Sequence, residues 1–280
     1  MKLLVTGAGG MLGRAVVDAA TRLGHDVCGL ARDELDITDA DAVHGALRGE
    51  RPQAVVNCAA YTDVDGAEAD QASAHAVNAA GAGNVAAAAA EIGASIVQVS
   101  TDYVFDGSKR GPWLESDPVA PLGAYGASKL AGELAVAAAN PQHAIVRTAW
   151  LFGAGGRNFV DTMLALGAER DEVSVVIDQT GCPTWTGHLA SALVELAQRP
   201  SQTGIHHLAA AGSCTWNELA IEVFARAGID CRVLPTTSDV SPRPAQRPAY
   251  SVLGSEREQP LMLPSWRDGV AAYLATRVAI

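Results

Sequence analysis

Charge is scarce in this sequence of 280 residues, at 18%, against roughly 25% for an average globular chain. Apolar residues make up 49% of it, so the chain has far too much to bury to be disordered. Basic residues are in deficit. Twenty Lys and Arg against 31 Asp and Glu leave a net charge of −11, the wrong sign for coating a phosphate backbone. Nucleic acid is therefore not an expected partner. No run of about 18 charge-free apolar residues occurs, so no membrane span is expected. The opening Met1-Lys2-Leu3-Leu4-Val5 begins like a secretory leader, but Gly7, Gly9 and Gly10 interrupt the apolar stretch a leader needs. The five cysteines are odd in number, scattered, and form no Cys-x-x-Cys pair. Cys28 and Cys58 lie in apolar runs and read as buried free thiols, which suits a reducing cytoplasm.

What is present is a rhythm. Residues 2–6, 26–31, 54–58, 95–100 and 143–148 are short apolar runs rich in β-branched side chains, and read as buried strands. Helical patterns at 11–23, 39–48, 67–92 and 122–139 lie between them. Strands alternating with helices predict βαβ units, hence an α/β fold with a doubly wound, Rossmann-type parallel sheet. Past Trp150 the rhythm loosens, with helices expected at 157–169, 187–198 and 215–228, and strands at 173–177 and 204–209. The Pro-rich stretch 235–248 reads as extended, either a linker or an ordered loop beside a substrate. The expected organisation is a dinucleotide-binding domain over 1–155, with later segments near 185–210 interleaved into it. A smaller substrate domain takes 156–280.

Gly7, Gly10 and Gly13 follow the first strand and open the first helix, with Met11 and Leu12 between the last two. That junction needs a tight turn, amides open to a pyrophosphate, and a helix lying close to its strand. It predicts dinucleotide binding. The end of the second strand reads the adenosine ribose, where an acidic residue favours NADH and an Arg accommodates the 2′-phosphate of NADPH. Arg32 stands just past that strand and favours NADPH; Asp33 follows and keeps NADH open. Asp36 and Ile37 are candidates for the adenine edge, with a helix cap as the alternative.

Ser100-Thr101-Asp102 ends the fourth strand, Tyr125 and Lys129 stand four apart on a predicted helix, and Arg147-Thr148-Ala149-Trp150 closes the fifth strand. Reducing a carbonyl by hydride requires a proton at the oxygen. A phenol with an ammonium on the same helix face can supply it, because the positive charge draws the phenol's pKa down. A Thr hydroxyl on the neighbouring strand can bond the same oxygen.

With these residues in order, the sequence resembles the extended short-chain dehydrogenase/reductases, and within them the dTDP-4-dehydrorhamnose reductases. The likeness rests on GAGGMLG at 7–13, Asn57-Cys58-Ala59-Ala60-Tyr61-Thr62, STDYVFDG at 100–107 and YGASKLAGE at 125–133. It continues through Asn158-Phe159, the DQTGCPT string at 178–184, Arg247-Pro248 and Leu263-Pro264-Ser265-Trp266. The resemblance implies reduction at C4 of dTDP-4-dehydro-L-rhamnose, with Tyr125 as proton donor. Lys129 would hold the nicotinamide ribose and tune Tyr125, and Thr101 would assist at the carbonyl. Ala60, Tyr61 and Thr62 would border the nicotinamide, and Asp102 and Trp150 would contact the deoxysugar. Asn158 and Gln179 would approach the nucleotide–diphosphate part, or else serve as a cap and a loop hydrogen bond. Arg243 and Arg247 are candidates for the diphosphate, or solvated charges. Some relatives share a Mg²⁺ between subunits through a Glu where this chain has Ala15, which weakens the case for that metal and that dimer and leaves Mg²⁺ open. A monomer or weak homodimer is expected. His206-His207 reads as structural. Two alternatives stand beside this reading: a reductase of another dTDP-4-keto-deoxysugar, and a non-catalytic regulatory subunit of the same fold. Keeping Thr101, Tyr125 and Lys129 together argues against the second.

Overall fold

Leu3 and Val5 in the strand β1 (Lys2–Thr6) pack into one layer of helices, and Leu4 between them packs into the other. Side chains that alternate in this way, all of them fully buried, require a sheet covered on both faces. The computed structural model, which describes residues 1–278, has that sheet. With β2 (Asp26–Leu30), β3 (Ala54–Asn57), β4 (Ser95–Thr101) and β5 (His143–Thr148), its order is β2-β1-β3-β4-β5. The strand Gly204–His207 is added beyond β5, and every pairing is parallel. The helices α1 (Met11–Arg22) and Thr186–Ala197 cover the face of Leu3 and Val5. Opposite them lie α2 (Ala40–Glu50), Ala82–Glu91 and Ala124–Ala139.

The strand order reverses between β1 and β3, and sheets of this kind bind ligands over the carboxyl ends at that point. The glycine loop sits there. Gly7 has φ +66° and lies so close to the loop that follows β3 that a Cβ would stand 2.6 Å from the Ala59 nitrogen. A Cβ on Gly13 would stand 2.2 Å from the Gly7 oxygen. Only glycine permits either approach, so the loop can be this tight only with glycine at both positions.

A second hydrophobic cluster gathers Phe152, Val160, Met163, Leu219, Val223, Phe224, Trp266 and Tyr273. It is built by helices Phe159–Glu169, Trp216–Ala227 and Trp266–Val278, with a parallel pair of strands, Glu172–Val176 and Arg232–Thr236.

Three features differ from the pattern expected of the sequence. The stretch 67–92 is not one continuous helix but short α-helices at Gly66–Ala69 and Gln71–His75, a π-helical turn at Ala76–Gly81, and then a regular helix. Asp70 restarts the chain by accepting from the Ser73 amide, a break that an Ala-rich period conceals. The strand expected at 204–209 stops at His207. The C-terminal strand Leu263–Ser265 and the helix that follows it carry Pro264 and several exposed polar residues, and gave no clear period.

Candidate active site

The site begins with the sheet's own polar residues. Thr6 donates to Asn57 Oδ1 at 2.5 Å, and Asn57 Nδ2 donates to Gln98 at 2.7 Å, all within a buried row crossing β1, β3 and β4. Asn57 Oδ1 also accepts from the Ala59 amide, which fixes the loop leading to Ala60, Tyr61 and Thr62.

Beyond the first glycines, Gly10 stands at the cap position of α1 and offers no capping side chain, and the first turn has no acidic residue, whereas α2 is capped by Asp39. The first amides of α1, those of Met11, Leu12 and Gly13, therefore lie at a positive helix terminus over the switch point. That chemistry fits an anion such as a pyrophosphate. Arg32 is exposed just past β2 and has no hydrogen-bond partner among the described residues. Asp36 is taken up by its own turn, accepting from the Thr38 amide and hydroxyl, and those bonds hold its carboxyl below the usual range. It is not the cap of α2; Asp39 is. Ile37 packs its side chain into the core and leaves only its backbone for an adenine.

Thr101 ends β4 beside Thr148 of β5. Its hydroxyl accepts from the Tyr103 amide, donates to Asp102, and lies against the Tyr125 phenol. Burial pushes that phenol up to about 12, with Thr101 opposing the shift, so the phenol is raised and not drawn down as the spacing from Lys129 predicts. Tyr103 meets the Tyr125 ring edge-on at 5.9 Å. Lys129, one turn further along the helix, is buried and donates its ammonium to the Val99 carbonyl at 2.7 Å. Burial draws it down to about 8, against the pull of Glu133 and Cys58. Asp102 is 2% exposed, its Oδ2 has no hydrogen-bond partner among the described residues, and the Ser251 hydroxyl stands close by. Burial raises this carboxyl to about 7. A small recess bounded by Glu68, Tyr103, Tyr125, Ala245, Gln246 and Pro248 lies beside these groups.

Several residues that hold this arrangement gave little sequence signal. Asn78, in the π-helical turn, accepts from the Tyr61 amide and donates to the Tyr61 carbonyl and to Ser128, whose hydroxyl bonds the Tyr125 carbonyl. It joins the 58–62 loop to the Tyr125 helix. An Asn inside an Ala-rich helix was its one visible sign. Glu68 accepts from the Ala124 amide and so caps that helix from another part of the chain. Asp65 pairs with Arg247 and accepts from the Ala245 amide, which makes the Pro-rich stretch an ordered loop rather than a linker.

The remaining candidates lie on the side of the second cluster. Trp150 is partly buried and stacked on Trp216. Asn158 caps the helix Phe159–Glu169, accepting from the Asp161 amide and donating to the Gly153 carbonyl, so its side chain is committed within the fold. Gln179 bonds Ser238 and Trp216. His207 bonds the Trp113 and Gly254 carbonyls, as a structural residue does.

A parallel sheet with a glycine loop at its switch point, and Thr, Tyr and Lys gathered at the ends of neighbouring elements, defines a Rossmann-type protein of the short-chain dehydrogenase/reductase class. The chain belongs to the RmlD substrate binding domain family, which matches residues 1–278. It is 50% identical over 260 residues to a dTDP-4-dehydrorhamnose reductase from Streptomyces griseus, covering 91% of this chain and 86% of that one. It is 47% identical over 270 residues to a probable dTDP-4,6-dihydroxy-2-methyloxan-3-one 4-ketoreductase from Streptomyces antibioticus, covering 96% and 92%. Among solved structures it superposes with a TM-score of 0.95 on a dTDP-4-dehydrorhamnose reductase from Bacillus anthracis in complex with NADP. That structure is 38% identical, with 98% of this chain and 99% of the other covered.

Proposed function

We propose that this chain reduces the C4 keto group of dTDP-4-dehydro-L-rhamnose with NADPH, giving dTDP-L-rhamnose. The observation that carries the proposal is the meeting of Thr101, Tyr125 and Lys129 at the carboxyl edge of the sheet, beside an uncapped helix terminus that fits a dinucleotide. NADPH supplies a hydride to C4 when bound. Tyr125, kept protonated by burial, gives its phenolic proton to the developing alkoxide, and the Thr101 hydroxyl bonds the same oxygen. Lys129 carries the positive charge that steadies the resulting phenolate, and its ammonium reaches the ribose. Gly7, Gly10, Met11, Leu12 and Gly13 hold the pyrophosphate by their backbone. Arg32 reads the 2′-phosphate, and Asp36 with the Ile37 backbone borders the adenine. Ala60, Tyr61 and Thr62 line the nicotinamide side. Asp102, Trp150, Gln179 and Arg247 face the nucleotide sugar, and Asn158 shapes its pocket from the cap position.

The division of labour follows the two clusters: the sheet and its helices hold the cofactor, and the second cluster holds the sugar. Among the described residues no helix is long and apolar enough to cross a membrane. Free thiols at all five cysteines support a reducing cytoplasm, with the chain acting as a monomer or weak homodimer.

The test is oxidation of NADPH by the purified protein with dTDP-4-dehydro-L-rhamnose, followed by identification of the product sugar. No turnover with any dTDP-4-keto sugar overturns the proposal. The Streptomyces antibioticus relative supports a second reading, reduction of a different dTDP-4-keto-deoxysugar. A higher kcat/KM for such a sugar in the same assay selects it.

A further inference from the structure

Trp150 has a left-handed backbone, φ +49°, a costly conformation for a bulky side chain that persists only where surrounding contacts enforce it. Two contacts stand out. Its carbonyl accepts from the Thr184 amide at 3.1 Å. Its indole lies flat on Trp216, with ring centroids 3.6 Å apart and planes 3° apart. The indole also fits closely against Gly181, where a Cβ would stand 2.4 Å from the ring.

Trp216 does more than stack. Its Nε1 donates to Gln179 Oε1 at 3.1 Å, and Gln179 Nε2 donates in turn to Ser238 at 2.8 Å. Phe159 leans on Trp216 at 4.6 Å. Trp216 is the first residue of its helix, and the reciprocal bonds of Thr215 and Glu218 fix that helix start. One rigidly mounted indole thus touches both Trp150 and Gln179.

We propose that Trp216 is a positioning residue for the nucleotide sugar, setting the plane of the Trp150 indole and the orientation of the Gln179 amide together. This rests on the reading of Trp150 and Gln179 as substrate contacts. Without the stacked partner, the Trp150 indole loses the flat surface that fixes its plane and keeps only the Gly181 contact, while the Thr184 bond still holds its backbone. Without the indole N–H, Gln179 Oε1 loses its donor and the amide is held at its Nε2 end alone, by Ser238.

The experiment compares W216F, W216A and Q179L with the unaltered protein. Its main probe is dTDP-D-glucose, a nucleotide sugar that has no keto group to reduce. W216F keeps an aromatic plane and loses the N–H; W216A loses both. Dissociation constants for dTDP-D-glucose should rise about threefold in W216F and Q179L, and about tenfold or more in W216A. NADPH affinity and melting temperature should stay close to those of the unaltered protein in W216F and Q179L. The far-ultraviolet circular dichroism couplet of the stacked indoles should vanish in both Trp216 variants and persist in Q179L. Unchanged dTDP-D-glucose affinity in W216F and W216A overturns the inference, and so does an equal loss of NADPH affinity in W216F. If the protein binds dTDP-D-glucose but turns over no keto sugar, the function fails and the binding series still decides Trp216. If it binds no dTDP sugar at all, both readings fall.

Discussion

Asp65 accepts from both terminal nitrogens of Arg247, at 3.1 and 3.0 Å, and this pair holds the Pro-rich segment against the turn that follows β3. Ala245, two residues before Arg247, adds its amide to the same carboxylate. The Arg247 guanidinium beside Asp65 holds that carboxyl below the usual range. A carboxylate with a lowered folded pKa adds stability that is complete above the unfolded value, near 4, and is lost as pH falls through the folded one. Asp65→Asn should therefore cost about 1–2 kcal/mol at pH 7. The gap from the unaltered protein should narrow as pH falls from about 5 towards 3. Urea melts across that range check it, and a gap independent of pH would show that the pair does not account for the loss.

Burial shifts Tyr125 and Lys129 in opposite directions, and both act in their protonated forms. Burial lifts the phenol to about 12, so it holds its proton throughout the neutral range, while burial lowers the ammonium to about 8. Because kcat/KM reports groups of the free enzyme, kcat/KM for NADPH should be level below about pH 8 and decline above it as Lys129 loses its charge. Tyr125→Phe should lower kcat by about 10²–10⁴-fold with NADPH affinity nearly intact, since it removes only the proton donor. Lys129→Met should weaken both and abolish the alkaline decline. A Lys129→Met profile that still falls above pH 8 would assign that limb to another group.

Arg32 is exposed just past β2 and makes no hydrogen bond or ion pair among the described residues. NADPH should give a higher kcat/KM than NADH. Arg32→Asp should reverse or erase the preference by removing a charge-assisted bond, worth about twice a neutral one. Steady-state kinetics with the two cofactors decides. An Arg32→Asp enzyme with the cofactor ratio unchanged would mean that Arg32 only faces water.

The legible part of this fold was the part governed by period. Leu3, Leu4 and Val5 announce a strand buried on both faces, and Gly7 and Gly13 announce a backbone approach that no other residue permits. The meeting of Thr101, Tyr125 and Lys129 was legible because their order and spacing put them at one edge of the sheet. Asn78, Glu68, Asp65 and Trp216 were not, because each acts on a segment distant in the chain, and no local period records a partner some 50 to 180 residues away. Asp36 shows the limit of a cap signal: its side chain bonds its own turn, three residues before Asp39, which caps α2. The Ala-rich run 67–92 misled for a related reason, since high helix propensity conceals a break that one Asp side chain imposes.

The last prediction concerns the buried pair behind the Tyr125 helix. Arg147 of β5 donates from Nε and Nη2 to Glu133 at 3.0 and 2.7 Å, and the Ser100 hydroxyl donates to the same carboxylate at 2.5 Å. Arg147 also lies over the Phe105 ring, 5.1 Å from its centre. Both charged side chains are almost fully buried, at 3% and 4% exposed, so neither can recover water if its partner is removed. Glu133→Ala should therefore destabilise the protein by about 3–5 kcal/mol, the cost of stranding one charge of a buried pair. Removing both charges, in Glu133→Leu with Arg147→Met, should cost much less, because the desolvation penalty disappears with the pair itself. Glu133 stands one helical turn beyond Lys129, so Glu133→Ala should also lower the Lys129 pKa and move the alkaline limb of kcat/KM to lower pH. Denaturant melts of Glu133→Leu, Arg147→Met and the double variant complete the cycle. A double variant as unstable as the sum of the singles would show that Glu133 and Arg147 contribute independently and not as a pair.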